Sequence, residues 1–128
     1  MNLAFLCIIL ACLMPILFAG VAKLGGGLAG KKYDNHDPRR YLANLDGWAQ
    51  RAQSVQLNSW EALPIFIAAV LMASSASVPQ TMINTYAIAF ISIRLLYGIC
   101  YLLDWSTARS IVWALGFFAC LRLMVAAL

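Results

Sequence analysis

The chain has 128 residues, 63% of them hydrophobic and 11% charged, with a formal net charge of +4 and a mean hydropathy of +0.81. Soluble domains carry about 25% charged residues, so an integral membrane protein is expected. The length leaves no room for a large soluble domain beside it, and the small, localised positive balance reads as membrane topology rather than nucleic-acid binding.

The first expected helix covers residues 2–22. It is almost purely apolar and, at about 20 residues, crosses roughly 30 Å of hydrocarbon. A cleaved signal peptide is the rival reading, weakened because no Lys or Arg precedes the apolar run. For the same reason Ile9-Leu10-Ala11-Cys12 is a poor lipoprotein cleavage box. Pro15 is placed to kink this helix.

Residues 23–47 form the one polar segment, with Lys23, Lys31, Lys32, Arg39 and Arg40 against Asp34, Asp37 and Asp46. Gly25-Gly26-Gly27 and Gly30 are expected to break the helix. The run lacks the GK[ST] ending and the preceding strand of a phosphate loop. His36, the only histidine, sits among Asp, Asn and Pro and reads as a solvated loop residue.

The second expected helix covers residues 48–73, with Trp48 and Trp60 as interface residues and Pro64 bending it. At helical spacing Arg51, Ser54, Asn58 and Glu61 fall within an arc of roughly 80°. A polar stripe thus runs into a membrane helix, where an ionisable residue is costly and needs a partner. Ser74–Gln80 is a short uncharged loop, with Ser77 expected as the N-cap of the third helix.

The third helix, residues 80–103, carries Arg94 inside its apolar run. Arg94, Tyr97, Tyr101 and Asp104 again share an arc of roughly 80°. Asp104–Thr107 reads as a tight turn. The fourth helix covers residues 108–128, with Arg109 and Ser110 in its first turn and Arg122 able to snorkel outward at the far end. With Ser106 as N-cap, Arg109 falls at the third helical position, where its charge adds to the positive helix end and creates an anion site suited to an anionic sulfur. An ordinary topology-setting arginine is the alternative. Cys7, Cys12, Cys100 and Cys120 lie in apolar runs without CxxC or Cys/His spacing, so neither a metal nor a disulfide is expected.

The first loop is basic, the second uncharged and the third flanked by Arg109. The positive-inside rule therefore places loops one and three in the cytoplasm and both termini outside in a plasma-type membrane; in an endoplasmic reticulum the outside would be the lumen. That topology gathers Arg51, Asn58, Glu61, Tyr97, Tyr101 and Arg109 at the cytoplasmic end. Arg94 lies roughly 10 Å deeper than Tyr101 at ~1.5 Å per residue, and is expected as the counter-charge of Glu61. Such a pair could merely hold helices together. Polar faces on three helices at one depth favour a site for a polar ligand.

The pattern Arg51-Ala52, Asn58-Ser59-Trp60-Glu61-Ala62-Leu63-Pro64, Arg94-xx-Tyr97-xxx-Tyr101 and Arg109-Ser110 resembles the MAPEG family, membrane-associated proteins in eicosanoid and glutathione metabolism. The resemblance covers nearly the whole chain, which is similar to the bacterial branch, and so implies a bacterial inner membrane. It implies an all-α, integral membrane four-helix bundle assembled as a homotrimer. Glutathione, the co-substrate, would lie between subunits near the cytoplasmic side. By resemblance Asn58 and Glu61 contact its peptide part, Gln56, Tyr97 and Tyr101 line the site, Arg109 stabilises the thiolate, and Ser110 is the hydroxyl beside it. Well-studied members carry an arginine four residues before the asparagine, and some another directly before it. Here those places are Ser54 and Leu57, with Arg51 one turn earlier.

The leading expectation is a glutathione-dependent membrane transferase, with peroxidase activity as a variant, joining the glutathione thiolate to a lipophilic electrophile that arrives from the bilayer. The alternative is a non-enzymatic membrane protein that keeps the fold, motivated by Ser54 and Leu57. A small multidrug-type transporter would have a glutamate in the first membrane helix, and this one has no acidic residue.

Overall fold

The computed structural model describes residues 2–128, as five helices: α1 Leu3–Leu28, α2 Pro38–Ala43, α3 Gly47–Ser75, α4 Gln80–Leu102 and α5 Ser106–Ala126. The four long ones are each long and apolar enough to span a bilayer. The chain is an all-helical membrane four-helix bundle. α1 packs chiefly along α3, and α4 along α5.

Lipid tails are as apolar as leucine, so membrane helices associate by close backbone approach and shape. The sequence obeys this logic. The buried stripe of α1 includes Ala4, Cys7, Ala11, Phe18 and Ala22, while Leu6, Ile9, Leu13, Ile16 and Leu17 face outward. α3 contributes Ala49, Ala52, Ala69 and Ala73 to the interior. The largest core cluster lies at the end of the bundle away from the polar segment, where the Phe66 and Phe90 rings stack at 4.1 Å.

Several boundaries differ from expectation. The triple glycine does not break α1, which continues to Leu28. Gly25 and Gly26 are contact glycines: a Cβ on Gly25 would lie 2.7 Å from Ala49 Cβ, and one on Gly26 would strike Tyr41 Oη and lie 2.6 Å from Leu45 Cδ2. The helix ends instead at Gly30, with φ +80°. There the Lys31 and Gly30 amides return to the Gly26 and Gly27 carbonyls at 2.9 and 3.0 Å, a Schellman closure.

The segment of residues 23–47 also contains α2, which was not expected. Asp37 caps it by accepting from the Arg40 amide at 3.2 Å, and Pro38 occupies the first turn. α2 folds under the bundle end through Leu42 and Leu45, and Lys31 pairs with Asp46 at 2.6 Å.

Ser77 is not the N-cap of α4. It closes α3, with φ 58° and the Val78 amide returning to the Ala73 carbonyl at 3.4 Å, while Pro79 precedes α4 without a side-chain cap. Asp104 closes α4 in the same manner, with φ 60° and the Trp105 amide on the Cys100 carbonyl at 2.9 Å. The turn is therefore shorter than expected. Trp105, not Ser106, is the cap position of α5.

Candidate functional site

Two adjoining cavities lie between α3, α4 and α5, and they share Asn58 and Trp113. The open cleft, of about 260 Å³, is lined by Asn58, Tyr97, Tyr101, Arg109, Ser110 and Trp113. The deeper cavity, of about 90 Å³, has Asn58, Glu61 and Arg94 on its polar side, with Phe90, Phe117 and Cys120 among its apolar walls. Tyr101, Arg109 and Ser110 sit at the same end of the bundle as α2, since Leu102 packs against the Leu42 and Leu45 cluster.

Periodicity explains why these side chains converge. Asn58 and Glu61 lie one turn apart on α3. Arg94, Tyr97 and Tyr101 step down one face of α4, and Arg109 and Trp113 down one face of α5. The Arg94 guanidinium lies over the Tyr97 ring at 4.3 Å, Tyr97 meets Tyr101 edge to face at 5.7 Å, and Arg109 lies over Tyr101 at 4.4 Å. Two cations thus flank two rings, which accommodate charge through their faces without neutralising it.

Arg94 does not pair with Glu61. Its Nη1 donates to Asn58 Oδ1 at 2.9 Å and its Nη2 to Ser59 Oγ at 3.3 Å, while Asn58 Nδ2 donates to Glu61 Oε2 at 3.1 Å. The asparagine stands between the two charges because it lies a turn closer to Arg94 along α3. Arg94 is 4% exposed, whereas Glu61 is exposed.

Arg109 is the fourth residue after the cap position, and its own amide already donates to the Trp105 carbonyl at 2.9 Å. It therefore brings its guanidinium to the cleft but no free backbone donor, unlike the third-position placement expected from Ser106. Ser110 Oγ donates to the Ser106 carbonyl at 3.1 Å and lines the cleft beside it.

Two expected site residues lie elsewhere in the protomer. Arg51 Nε donates to the Leu102 carbonyl at 3.2 Å and so closes the end of α4. Gln56 lines neither cavity, and its Oε1 is buried with no hydrogen-bond partner. Two residues before Asn58 means about 200° around the helix, so Gln56 points away from the cleft.

Trp113 and Ser59 were missed. Trp113 comes one turn after Arg109 and stacks on Phe117 with the rings 4° from parallel, so the spacing Arg109, Trp113, Phe117 is the signal that finds it. Ser59 has no such signal, because nothing in its local pattern points to Arg94.

A polar site lined by three helices of an integral, multi-pass membrane bundle defines the class of this protein. The chain belongs to the MAPEG family, which it matches over residues 3–128. Neither the curated proteins nor the solved structures include a match to it.

Proposed function

We propose that this protein is a membrane-bound glutathione-dependent transferase that joins the glutathione thiolate to lipophilic electrophiles. The observation that carries the reading is the single cleft in which Asn58, Tyr97, Tyr101, Arg109 and Ser110 meet, adjoining a cavity edged by Arg94 and Glu61. A thiol is a weak nucleophile until it loses its proton, and a nearby guanidinium favours the thiolate. Arg109 is in a position to do this, because no carboxylate pairs with it among the described residues. Tyr101 supplies an aromatic face beneath the guanidinium and Ser110 an adjacent hydroxyl. Glu61 keeps one carboxylate oxygen free of protein donors and suits the ammonium of a peptide, while Arg94 suits a carboxylate.

Conjugation forms a carbon–sulfur bond. With an aryl halide the halide leaves with the bonding electrons, and the thiol proton passes to solvent. The electrophile enters from the bilayer beside Trp113, which is exposed and opens onto both cavities.

The active unit is a homotrimer with the site between protomers. Polar groups on three helices at one end of the bundle support this, since one protomer leaves the cleft open on one side. The basic segment from Lys23 to Arg40 supports a cytoplasmic site end of the bundle, with both termini outside.

The test is thiol consumption by purified protein given glutathione and 1-chloro-2,4-dinitrobenzene. Turnover lost in Arg109→Ala supports the reading. Absence of turnover in the unaltered protein, with glutathione still bound, would instead favour a non-enzymatic family member. That second reading is favoured by one observation: Ser54 donates to the Gln50 carbonyl at 3.3 Å, and Arg51 is committed to Leu102, so this face of α3 brings no cation to the cleft.

A further inference from the structure

Arg94 is the deepest charge of the site. It is 4% exposed, and among the described residues no carboxylate lies within ion-pair distance of it. A buried cation without a counter-ion depends on its hydrogen bonds. Here these are Nη1 to Asn58 Oδ1 at 2.9 Å and Nη2 to Ser59 Oγ at 3.3 Å, with the Tyr97 ring 4.3 Å below.

Ser59 is 5% exposed and lines neither cavity, so it is placed to touch Arg94 and not a ligand. Its hydroxyl donates to the Val55 carbonyl at 2.7 Å. A serine hydroxyl has one proton, and here the helix backbone takes it. Only lone pairs then remain for the guanidinium, and the contact has one fixed direction.

We propose that Ser59 is a positioning residue, a neutral acceptor oriented by Val55, which fixes the plane of the Arg94 guanidinium over Tyr97 and leaves its charge uncompensated for an anionic group in the deep cavity. The second half rests on the glutathione reading, with a carboxylate of the peptide as the anion. The first half does not. A carboxylate in place of the hydroxyl would hold the guanidinium but neutralise it. A methyl would leave it charged but loose.

The experiment measures rotation about the Arg94 Nε–Cζ bond by NMR of protein labelled at arginine in detergent, with the signal assigned by its loss in Arg94→Lys. Ser59→Ala should speed this rotation about tenfold, the loss expected of one hydrogen bond to a charged group. Ser59→Thr keeps the hydroxyl and should restore the unaltered rate. Ser59→Asp should keep rotation slow. Ser59→Cys, close in volume and a weaker acceptor, should give an intermediate rate and serves if alanine prevents folding. In parallel glutathione titrations, Ser59→Thr should bind as the unaltered protein does, Ser59→Ala about tenfold more weakly, and Ser59→Asp at least as weakly despite its held guanidinium. An unchanged rotation rate in Ser59→Ala, or in Ser59→Cys in its place, overturns the positioning role. Slow rotation with full affinity in Ser59→Asp overturns the charge half. An unaltered protein that binds no glutathione rejects the glutathione reading and the charge half with it, while the rotation rates still decide the role of Ser59.

Discussion

Arg94 reaches Asn58 at 2.9 Å, and Glu61 meets that arginine only through the asparagine amide. The amide is a donor on one side and an acceptor on the other, so it satisfies both charges without letting them neutralise each other. Glu61 and Arg94 therefore remain separately available at the edge of one cavity. This arrangement ties the stability of the bundle to the same residues that would bind a zwitterionic peptide.

Asn58→Ala removes the shorter of the two hydrogen bonds to a buried guanidinium. Its expected cost is about 1.5–3 kcal/mol. Asn58→Asp keeps an acceptor for Arg94 but takes the donor away from Glu61, so it should recover part of that loss. Thermal unfolding of the two variants in the same detergent checks the order.

Glu61→Gln should behave differently. Glu61 is exposed and its protein partner is the Asn58 amide, which a glutamine oxygen can also accept from. The unfolding midpoint should hold, while glutathione affinity falls about tenfold through loss of a charge-assisted contact to the ligand ammonium. A calorimetric titration showing full affinity together with a lowered midpoint would assign Glu61 to packing instead.

Arg109→Ala should raise the pKa of the bound thiol and move the pH–rate profile to the alkaline side. The guanidinium stabilises thiolate over thiol, and without it the thiol keeps its proton to higher pH. A rise of about one unit slows conjugation about tenfold at neutral pH, with recovery at high pH. Ultraviolet absorbance of the thiolate against pH reads the shift directly. An unchanged titration with unchanged turnover would transfer the role to the hydroxyl of Tyr97 or Tyr101.

Gly26→Ala tests a contact glycine of α1, with Gly27→Ala as its control. The first forces a Cβ onto Tyr41 and Leu45, and should destabilise the seat of α2 by about 1–3 kcal/mol. The second meets nothing within 4 Å on an exposed helical position, and should stabilise by about 0.5–1 kcal/mol. Limited proteolysis of residues 31–46 should quicken in the first variant and not in the second.

Mass measurement in detergent should give a trimer. Gln56→Leu removes a buried acceptor that has no partner and lies outside the cleft, so it should leave glutathione affinity unchanged. A monomer with full affinity would place the whole site within one chain.

The amino-acid sequence by itself determined the membrane class, the four spans and the polar faces. Hydropathy over about 20 residues and a 3.6-residue period are local properties, readable without knowing any neighbour. It also carried the cap of α2, in Asp37-Pro38, a short signal inside a run of charged residues. The tertiary structure decided which polar groups meet. The contacts of Arg94 depend on the rotation and axial offset of α4 against α3, and these bring Asn58 and Ser59 within reach instead of Glu61. Gly25 and Gly26 depend on a neighbour in the same way. A glycine run read alone is a weak helix, but against Ala49, Tyr41 and Leu45 it is the only residue type thin enough for the helices to touch.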